Sequence, residues 1–154
     1  GIMKANNEKI VIYDGDMELN PSEISKLMIL NRTSNIRYVM GYRFKSLSPS
    51  KSNFDWGNFM FTSFFNIIFK SHHKDILCCA KTFYADELKG YNIISDGFDI
   101  DIELASLLTM RNYRSKTSQV FLNYKRRSIQ EGKKLKISDG WNILLRIIKM
   151  IQYK

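Results

Sequence analysis

IVIYDGDME, residues 10–18, is the stretch that says most about how this chain folds. Its first three residues are β-branched and the fourth is aromatic, which favours a β-strand. Asp14, Asp16 and Glu18 follow at alternate positions. Carboxylate oxygens are the ligands that Mg²⁺ and Mn²⁺ prefer, and these ions keep coordination positions open for water and phosphate groups. The stretch therefore predicts a strand that ends in a divalent-cation site, with a plain helix-capping turn as the alternative.

The positive charge of the chain is concentrated in its last third. The 154 residues carry a net charge of +9, with 44% hydrophobic and 25% charged residues. This composition suits one folded domain and argues against disorder. Residues 1–110 hold 12 Lys and Arg against 13 Asp and Glu, whereas residues 111–154 hold 12 against 2. Such a basic segment suits phosphates, nucleic acid or an anionic membrane surface, the alternative being a solvated cationic surface.

Strand-like and helix-like segments alternate along the chain, which predicts an α/β fold. The predicted strands cover residues 10–13, 37–41, 76–84 and 120–124. The predicted helices begin near Pro21, Trp56, Asp96 and Trp141. The adjacent Cys78 and Cys79 have poor geometry for a disulfide, so we expect reduced thiols and a cytoplasmic protein. His72 and His73 have no second ligand cluster nearby, and a surface loop is expected there rather than a metal site.

Two helical segments bear on contact with a membrane. Residues 56–69 include five phenylalanines and no charged residue, but they are too few to span a bilayer. The last helix carries an apolar stripe made of Trp141, Leu144, Leu145, Ile148 and Ile151. Such a stripe usually packs in a core, and a helix lying on a membrane interface is the alternative. No apolar run of about 18 residues occurs, so no transmembrane helix is expected.

Six short segments follow one another in an order typical of one enzyme family. They are residues 14–21 (DGDMELNP), 39–44 (VMGYRF), 57–66, 75–83 (DILCCAKTF), 97–103 (GFDIDIE) and 124–134 (YKRRSIQEGKK). Together they resemble the C-terminal part of a family 2 glycosyltransferase of GT-A fold. The subgroup that they resemble most is the dolichyl- or polyprenyl-phosphate sugar synthases. Tyr42 stands where this family usually has serine, and Arg126 where it often has proline.

The resemblance implies a role for each candidate site residue. It implies that Mg²⁺ or Mn²⁺ binds to Asp14, Asp16 and Glu18. It implies that the donor diphosphate binds to Arg127, Lys133 and Lys134. The acceptor-binding residues that it implies are Arg43, Asn58, Thr62 and Asp75. Asp101 or Glu103 would be the catalytic base for a hydroxyl acceptor, whereas a phosphate acceptor is already anionic and needs no strong base.

Each of these roles has a plainer alternative. Asp101 and Glu103 also fit exposed carboxylates at a helix start, where the helix dipole favours them. The Lys133-Lys134 pair also fits simple solvated charge. Asp75 also fits a residue that only orients a strand or loop.

The resemblance also sets expectations for the architecture and partners. It implies a single domain over residues 1–154 with a GT-A-type mixed sheet flanked by helices. The family's N-terminal nucleotide-binding strands are not in this sequence, so a complementing N-terminal half is an expected partner. The other expected partners are a nucleotide-sugar donor, a lipid-phosphate or glycan acceptor, and the cytoplasmic face of a membrane, contacted peripherally.

Two other classes of function compete with an active glycosyltransferase. The first is an inactive fragment or interaction subunit, because without the N-terminal strands the sheet would have exposed apolar edges. The second is a nucleic-acid-binding module, suggested by the basic segment with Tyr113, Phe121 and Tyr124 nearby. No groove-reading or stacking motif accompanies that segment, so a nucleic-acid partner is not expected.

Overall fold

The computed structural model describes residues 2–45, 53–112, 118–127 and 139–153. Within these ranges the strands are β1 (Lys9–Ile12), β2 (Tyr38–Tyr42), β3 (Lys81–Tyr84) and β4 (Ser118–Phe121). The α-helices of the same ranges are α1 (Ile24–Leu27), α2 (Asn53–Phe69), α3 (Ile100–Arg111) and α4 (Asp139–Met150). Short 3₁₀ turns lie at Ile2–Lys4, Pro21–Glu23, Ala85–Leu88 and Ile151–Tyr153. The α/β class predicted from the sequence is confirmed.

The four strands form one mixed sheet in the order β1-β3-β2-β4. β3 is antiparallel to both of its neighbours, whereas β2 and β4 are parallel. β1 and β4 are therefore the outer strands among the described residues. The segments that follow these two strands nevertheless meet, because Leu19 forms an antiparallel bridge with Tyr124. This bridge brings the acidic turn after β1 to the basic segment after β4.

Two apolar clusters cover the two faces of the sheet. Side chains of consecutive strand residues point to opposite faces, so Tyr38 and Met40 join one cluster and Val39 joins the other. The larger cluster is formed with residues of α2, α3 and α4. The smaller one includes Leu122, which packs against the backbone of Gly41 so closely that a β-carbon there would lie 2.5 Å from Leu122 Cδ1. Both clusters fix the ends of β2 and β3, where the candidate site begins.

Some predicted segments are shorter than expected. The strand predicted over residues 76–84 is regular only over β3, because polar groups of the preceding residues bond elsewhere. The Ile76 amide donates to Thr62 Oγ1 at 3.4 Å, and the Cys78 carbonyl accepts a hydrogen bond from Lys81 Nζ. The helix expected after Pro21 is one 3₁₀ turn followed by the short α1.

The last helix buries a different face from the predicted stripe. Ile143, Ile147 and Met150 are the buried residues of α4, and Leu144 packs against the same cluster. The rest of the predicted stripe is exposed: Trp141, Leu145, Ile148 and Ile151. Of the two alternatives for this stripe, core packing therefore holds only for Leu144. Arg146 lies on the same buried face and pairs with Asp99 at the start of α3, with Nη2 and Oδ2 2.8 Å apart.

His73 is buried, which corrects the expectation of a surface loop at that position. Its Nε2 lies 2.8 Å from Thr109 Oγ1, and its ring packs against Tyr38 and Phe65. Burial, together with the positive charge of Lys81, lowers the pKa of His73 to about 4. The neutral ring is therefore a core residue rather than a cation at physiological pH.

Candidate active site

The acidic turn after β1 is organised by its own carboxylates. Asp16 Oδ1 accepts a hydrogen bond from the Glu18 amide at 3.0 Å. Met17 between them has a φ of 66°, a left-handed conformation that non-glycine residues rarely adopt. The turn thus directs Asp16 and Glu18 toward the same side of the chain.

Arg127 lies directly on this turn. Its Nη2 donates to Asp16 Oδ2 at 2.8 Å, and its amide donates to Glu18 Oε1 at 2.9 Å. The Lys125 amide donates to the Glu18 carbonyl at 2.9 Å. Two predicted metal ligands and one predicted diphosphate-binding residue, more than a hundred positions apart in the sequence, therefore meet at one cluster.

The three carboxylates of the turn do not all have the same neighbours. Asp14 lies close enough to Cys79 and Asp101 to raise the pKa of each. Asp16 and Glu18 instead converge on the guanidinium of Arg127. Within the described ranges, no group of three or more His, Cys, Asp or Glu side chains could hold a metal ion.

Asp16 and Glu18 have the chemistry that a hard cation requires. Both supply carboxylate oxygens, and a positive charge already lies between them. A Mg²⁺ or Mn²⁺ ion bound in this way takes its remaining ligands from water and substrate phosphates. Asp16 and Glu18 are therefore a candidate two-carboxylate cation site, and both carboxylates face the guanidinium of Arg127.

The four predicted acceptor-binding residues form one hydrogen-bonded network. Asp75 Oδ2 accepts from Arg43 Nε at 2.7 Å, and its Oδ1 accepts from Arg43 Nη2 and Asn58 Nδ2, both at 3.0 Å. Thr62 Oγ1 lies 3.3 Å from Asn58 Oδ1. The side chain of Asp75 is fully buried, so it fixes the orientation of the Arg43 guanidinium. Asp75 is thus a positioning residue in this network.

Tyr124 lies near both the Arg43 network and the acidic turn. The guanidinium carbon of Arg43 lies 5.2 Å from the centroid of the Tyr124 ring. Burial raises the pKa of Tyr124, a hydrogen bond with Arg126 lowers it, and the charge of Arg43 lowers it while that of Glu18 raises it. The Tyr124 side chain therefore lies between the acidic turn and the Arg43 network.

Asp101 faces a buried lysine at the edge of the site. Lys81 Nζ lies 2.5 Å from Asp101 Oδ1, and the lysine side chain is completely buried. Burial raises the pKa of Asp101, the ion pair with Lys81 opposes this rise, and Asp14 adds to it. The side chain of Asp101 remains 18% exposed, whereas its Oδ1 faces the buried Lys81 Nζ.

Glu103 is placed differently from the other candidate base. Its Oε1 accepts from the Ile94 amide at 3.0 Å, and its Oε2 accepts from the Ser95 amide at 2.7 Å. The residue is buried and holds the loop that precedes α3. Glu103 is therefore not brought to the acidic turn, and Asp101 is the better placed carboxylate.

Some site residues were missed or lie elsewhere. Lys133 and Lys134 lie outside the described residues. Sequence reasoning did not identify Lys81 as the partner of Asp101, although a lysine within an apolar strand was a signal for it. It also missed the ion pair between Arg126 and Asp55 at the start of α2.

Comparisons with known proteins add no relative: no protein-family model matches the chain, and neither does any curated protein.

Proposed function

We propose that this chain belongs to the catalytic domain of a metal-dependent inverting glycosyltransferase. In this proposal, sugar is transferred from a nucleotide-diphosphate sugar to a polyprenyl phosphate or a related acceptor. The observation that carries the proposal is the contact of Arg127 with Asp16 and Glu18. These residues were assigned to diphosphate and metal from separate motifs, 109 positions apart in the case of Arg127 and Glu18.

The residues of the chain divide the proposed reaction between them. A divalent cation, when bound to Asp16 and Glu18, would neutralise charge on the leaving diphosphate. Arg127 would donate hydrogen bonds to the same diphosphate, since a guanidinium binds phosphate oxygens in pairs. Lys133 and Lys134 are proposed to add positive charge there, and Asp14 to support the cation.

The Arg43 network is proposed to hold the acceptor. Asp75, Asn58 and Thr62 hold the guanidinium of Arg43 in one orientation, which favours binding of an acceptor phosphate. An acceptor phosphate attacks without a base. A hydroxyl acceptor would give its proton to Asp101, whose raised pKa suits a general base better than that of an ordinary aspartate.

The exposed apolar face of α4 supports a peripheral contact with the cytoplasmic face of a membrane. None of the helices in the described ranges has the length and apolar character needed to cross a bilayer. Trp141, Leu145 and Ile148 nevertheless lie on the exposed side of α4. Aromatic and aliphatic residues on one exposed face of a helix favour an interfacial position. A lipid-linked acceptor would then reach the site from the membrane surface.

A non-catalytic interaction subunit is the second candidate function. The observation in its favour is that β1 lies at the edge of the described sheet. An edge strand offers unpaired backbone groups to a further strand, such as one from a complementing N-terminal half.

The two candidates are separated by an activity assay on a variant of the acidic turn. We expect hydrolysis of one or more nucleotide-diphosphate sugars in the presence of Mn²⁺, tested over a panel of donors. Asp16→Asn keeps the shape of the side chain and removes its charge, so activity should fall on the order of 100-fold. Asp86→Asn is the matched control, because Asp86 pairs with Arg32 away from the turn.

Full activity in Asp16→Asn would show that the metal assignment is wrong. Absence of hydrolysis in the unmodified protein, with every donor of the panel, would favour the interaction subunit.

A further inference from the structure

We propose that Arg127 is an exchangeable cation of the acidic turn. In the protein without substrate its guanidinium stands in for the divalent ion, and it transfers to the donor diphosphate when ion and donor bind together. This inference rests on the proposed function. The inference goes beyond the proposed function because it couples metal binding to donor binding through the side chain of Arg127.

Arg127 and a divalent ion would share one carboxylate oxygen of Asp16. Asp16 Oδ2 is 2.8 Å from Arg127 Nη2, which is direct charge-assisted contact. A divalent ion on the same carboxylate would lie within a few ångströms of the guanidinium, and the two positive charges would repel each other. Metal binding at Asp16 therefore requires this ion pair to break.

The backbone around Arg127 stays in place when the ion pair breaks. The Arg127 amide remains bonded to Glu18 Oε1, and the Lys125 amide remains bonded to the Glu18 carbonyl. These backbone contacts and the Leu19–Tyr124 bridge fix the position of the chain. Only the side chain of Arg127 needs to move.

The guanidinium of Arg127 can move away from Asp16 because it is partly exposed and incompletely bonded. The side chains of Arg127 and Asp16 are each 31% exposed, so neither is enclosed by the protein. Arg127 Nε is buried yet makes no hydrogen bond to any residue within the described ranges. The guanidinium is thus incompletely bonded, and a diphosphate would offer it more acceptors than the carboxylates do.

If Arg127 had only a structural role, its removal would change the metal affinity in the opposite direction. If Arg127 only clamps the turn, its removal loosens Asp16 and Glu18, and metal affinity falls. If it competes with the ion, its removal raises metal affinity. The sign of the change therefore distinguishes the two roles.

The experiment measures Mn²⁺ binding by electron paramagnetic resonance, without nucleotide, for the unmodified chain and Arg127→Gln. Removal of a partly exposed ion pair should tighten Mn²⁺ binding about fivefold. Arg126→Gln is the matched control, since it removes the same charge from the neighbouring residue, whose ion-pair partner is Asp55. The control should change the affinity less than twofold.

A second measurement tests the transfer to the donor. Inorganic pyrophosphate should raise the Mn²⁺ affinity of the unmodified chain, and this increase should be smaller in Arg127→Gln because the side chain that would receive the pyrophosphate is gone. If Arg127→Gln does not fold, as judged by its thermal denaturation, Arg127→Met replaces it. Methionine keeps an unbranched side chain without the positive charge, so the Arg127→Met chain should also bind Mn²⁺ more tightly than the unmodified chain.

The outcomes distinguish failure of the Arg127 exchange from failure of the proposed metal site. Equal or weaker Mn²⁺ binding in the folded variant overturns the exchange and leaves the proposed function standing. An absence of Mn²⁺ binding in both the unmodified chain and the variant overturns the metal site, and with it the exchange.

Discussion

Asp75 shows how a single buried charge organises the candidate acceptor site. Both of its oxygens accept hydrogen bonds from the side chain of Arg43, and Asn58 contributes one more. A buried carboxylate is stable only when it is paired and bonded in this way. The residue thus contributes to folding and fixes the cation that is proposed to bind the acceptor.

Replacing this carboxylate should have a large effect on stability. Asp75→Asn leaves the Arg43 guanidinium without its counter-charge, and we expect the free energy of unfolding to fall by about 3 kcal/mol. Chemical denaturation followed by circular dichroism measures this change. Asp86→Asn, which breaks exposed pairs with Arg32 and Arg37, should cost less than about 1 kcal/mol. Similar losses in the two variants would argue against a special role for Asp75.

At the scale of elements, α4 contributes to two surfaces at once. Ile143, Ile147 and Met150 pack into the larger apolar cluster, whereas Trp141 and Ile148 lie exposed on another face. Trp141 is 70% exposed, which is unusual for the largest apolar side chain. An apolar face without a protein partner in the described ranges is consistent with the interfacial helix that is proposed above.

Membrane contact through α4 can be tested by co-sedimentation with vesicles that contain phosphatidylglycerol. The unmodified chain should bind at low salt, and Ile148→Asp should weaken binding about fivefold because a charge replaces an inserted side chain. Ile29→Asp is the matched control, since Ile29 is 44% exposed and Ile148 is 47% exposed. No sedimentation of the unmodified chain at low salt would contradict the contact.

Element boundaries were harder to predict than element types. The apolar run over residues 76–84 predicted one strand, but the Ile76 amide donates to Thr62 Oγ1 and the Cys78 carbonyl accepts from Lys81 Nζ. The packed face of α4 differs from the predicted stripe because Ile143, Ile147 and Met150 pack against residues of α2 and α3, and Arg146 on that face pairs with Asp99.

At the scale of the whole molecule, the order of short motifs predicted which residues meet. Arg43, Asn58, Thr62 and Asp75 lie in one network, and Arg127 lies on Asp16 and Glu18. The resemblance to the glycosyltransferase family grouped these residues by role, which residue type and spacing alone do not do. The assignment of Glu103 as a candidate base stays a prediction; its carboxylate accepts hydrogen bonds from the Ile94 and Ser95 amides, which the sequence does not reveal. Lys81 was missed because a single lysine in a strand does not identify its partner.

The central claim is that these residues together transfer a sugar from a nucleotide-diphosphate donor. The most direct test incubates the chain with Mn²⁺, a panel of nucleotide sugars and a short-chain polyprenyl phosphate, and analyses the lipid by mass spectrometry. We predict a lipid whose mass has increased by one sugar residue, formed only when Mn²⁺ is present. An unchanged lipid with every donor, from a folded protein that binds Mn²⁺, would contradict the claim.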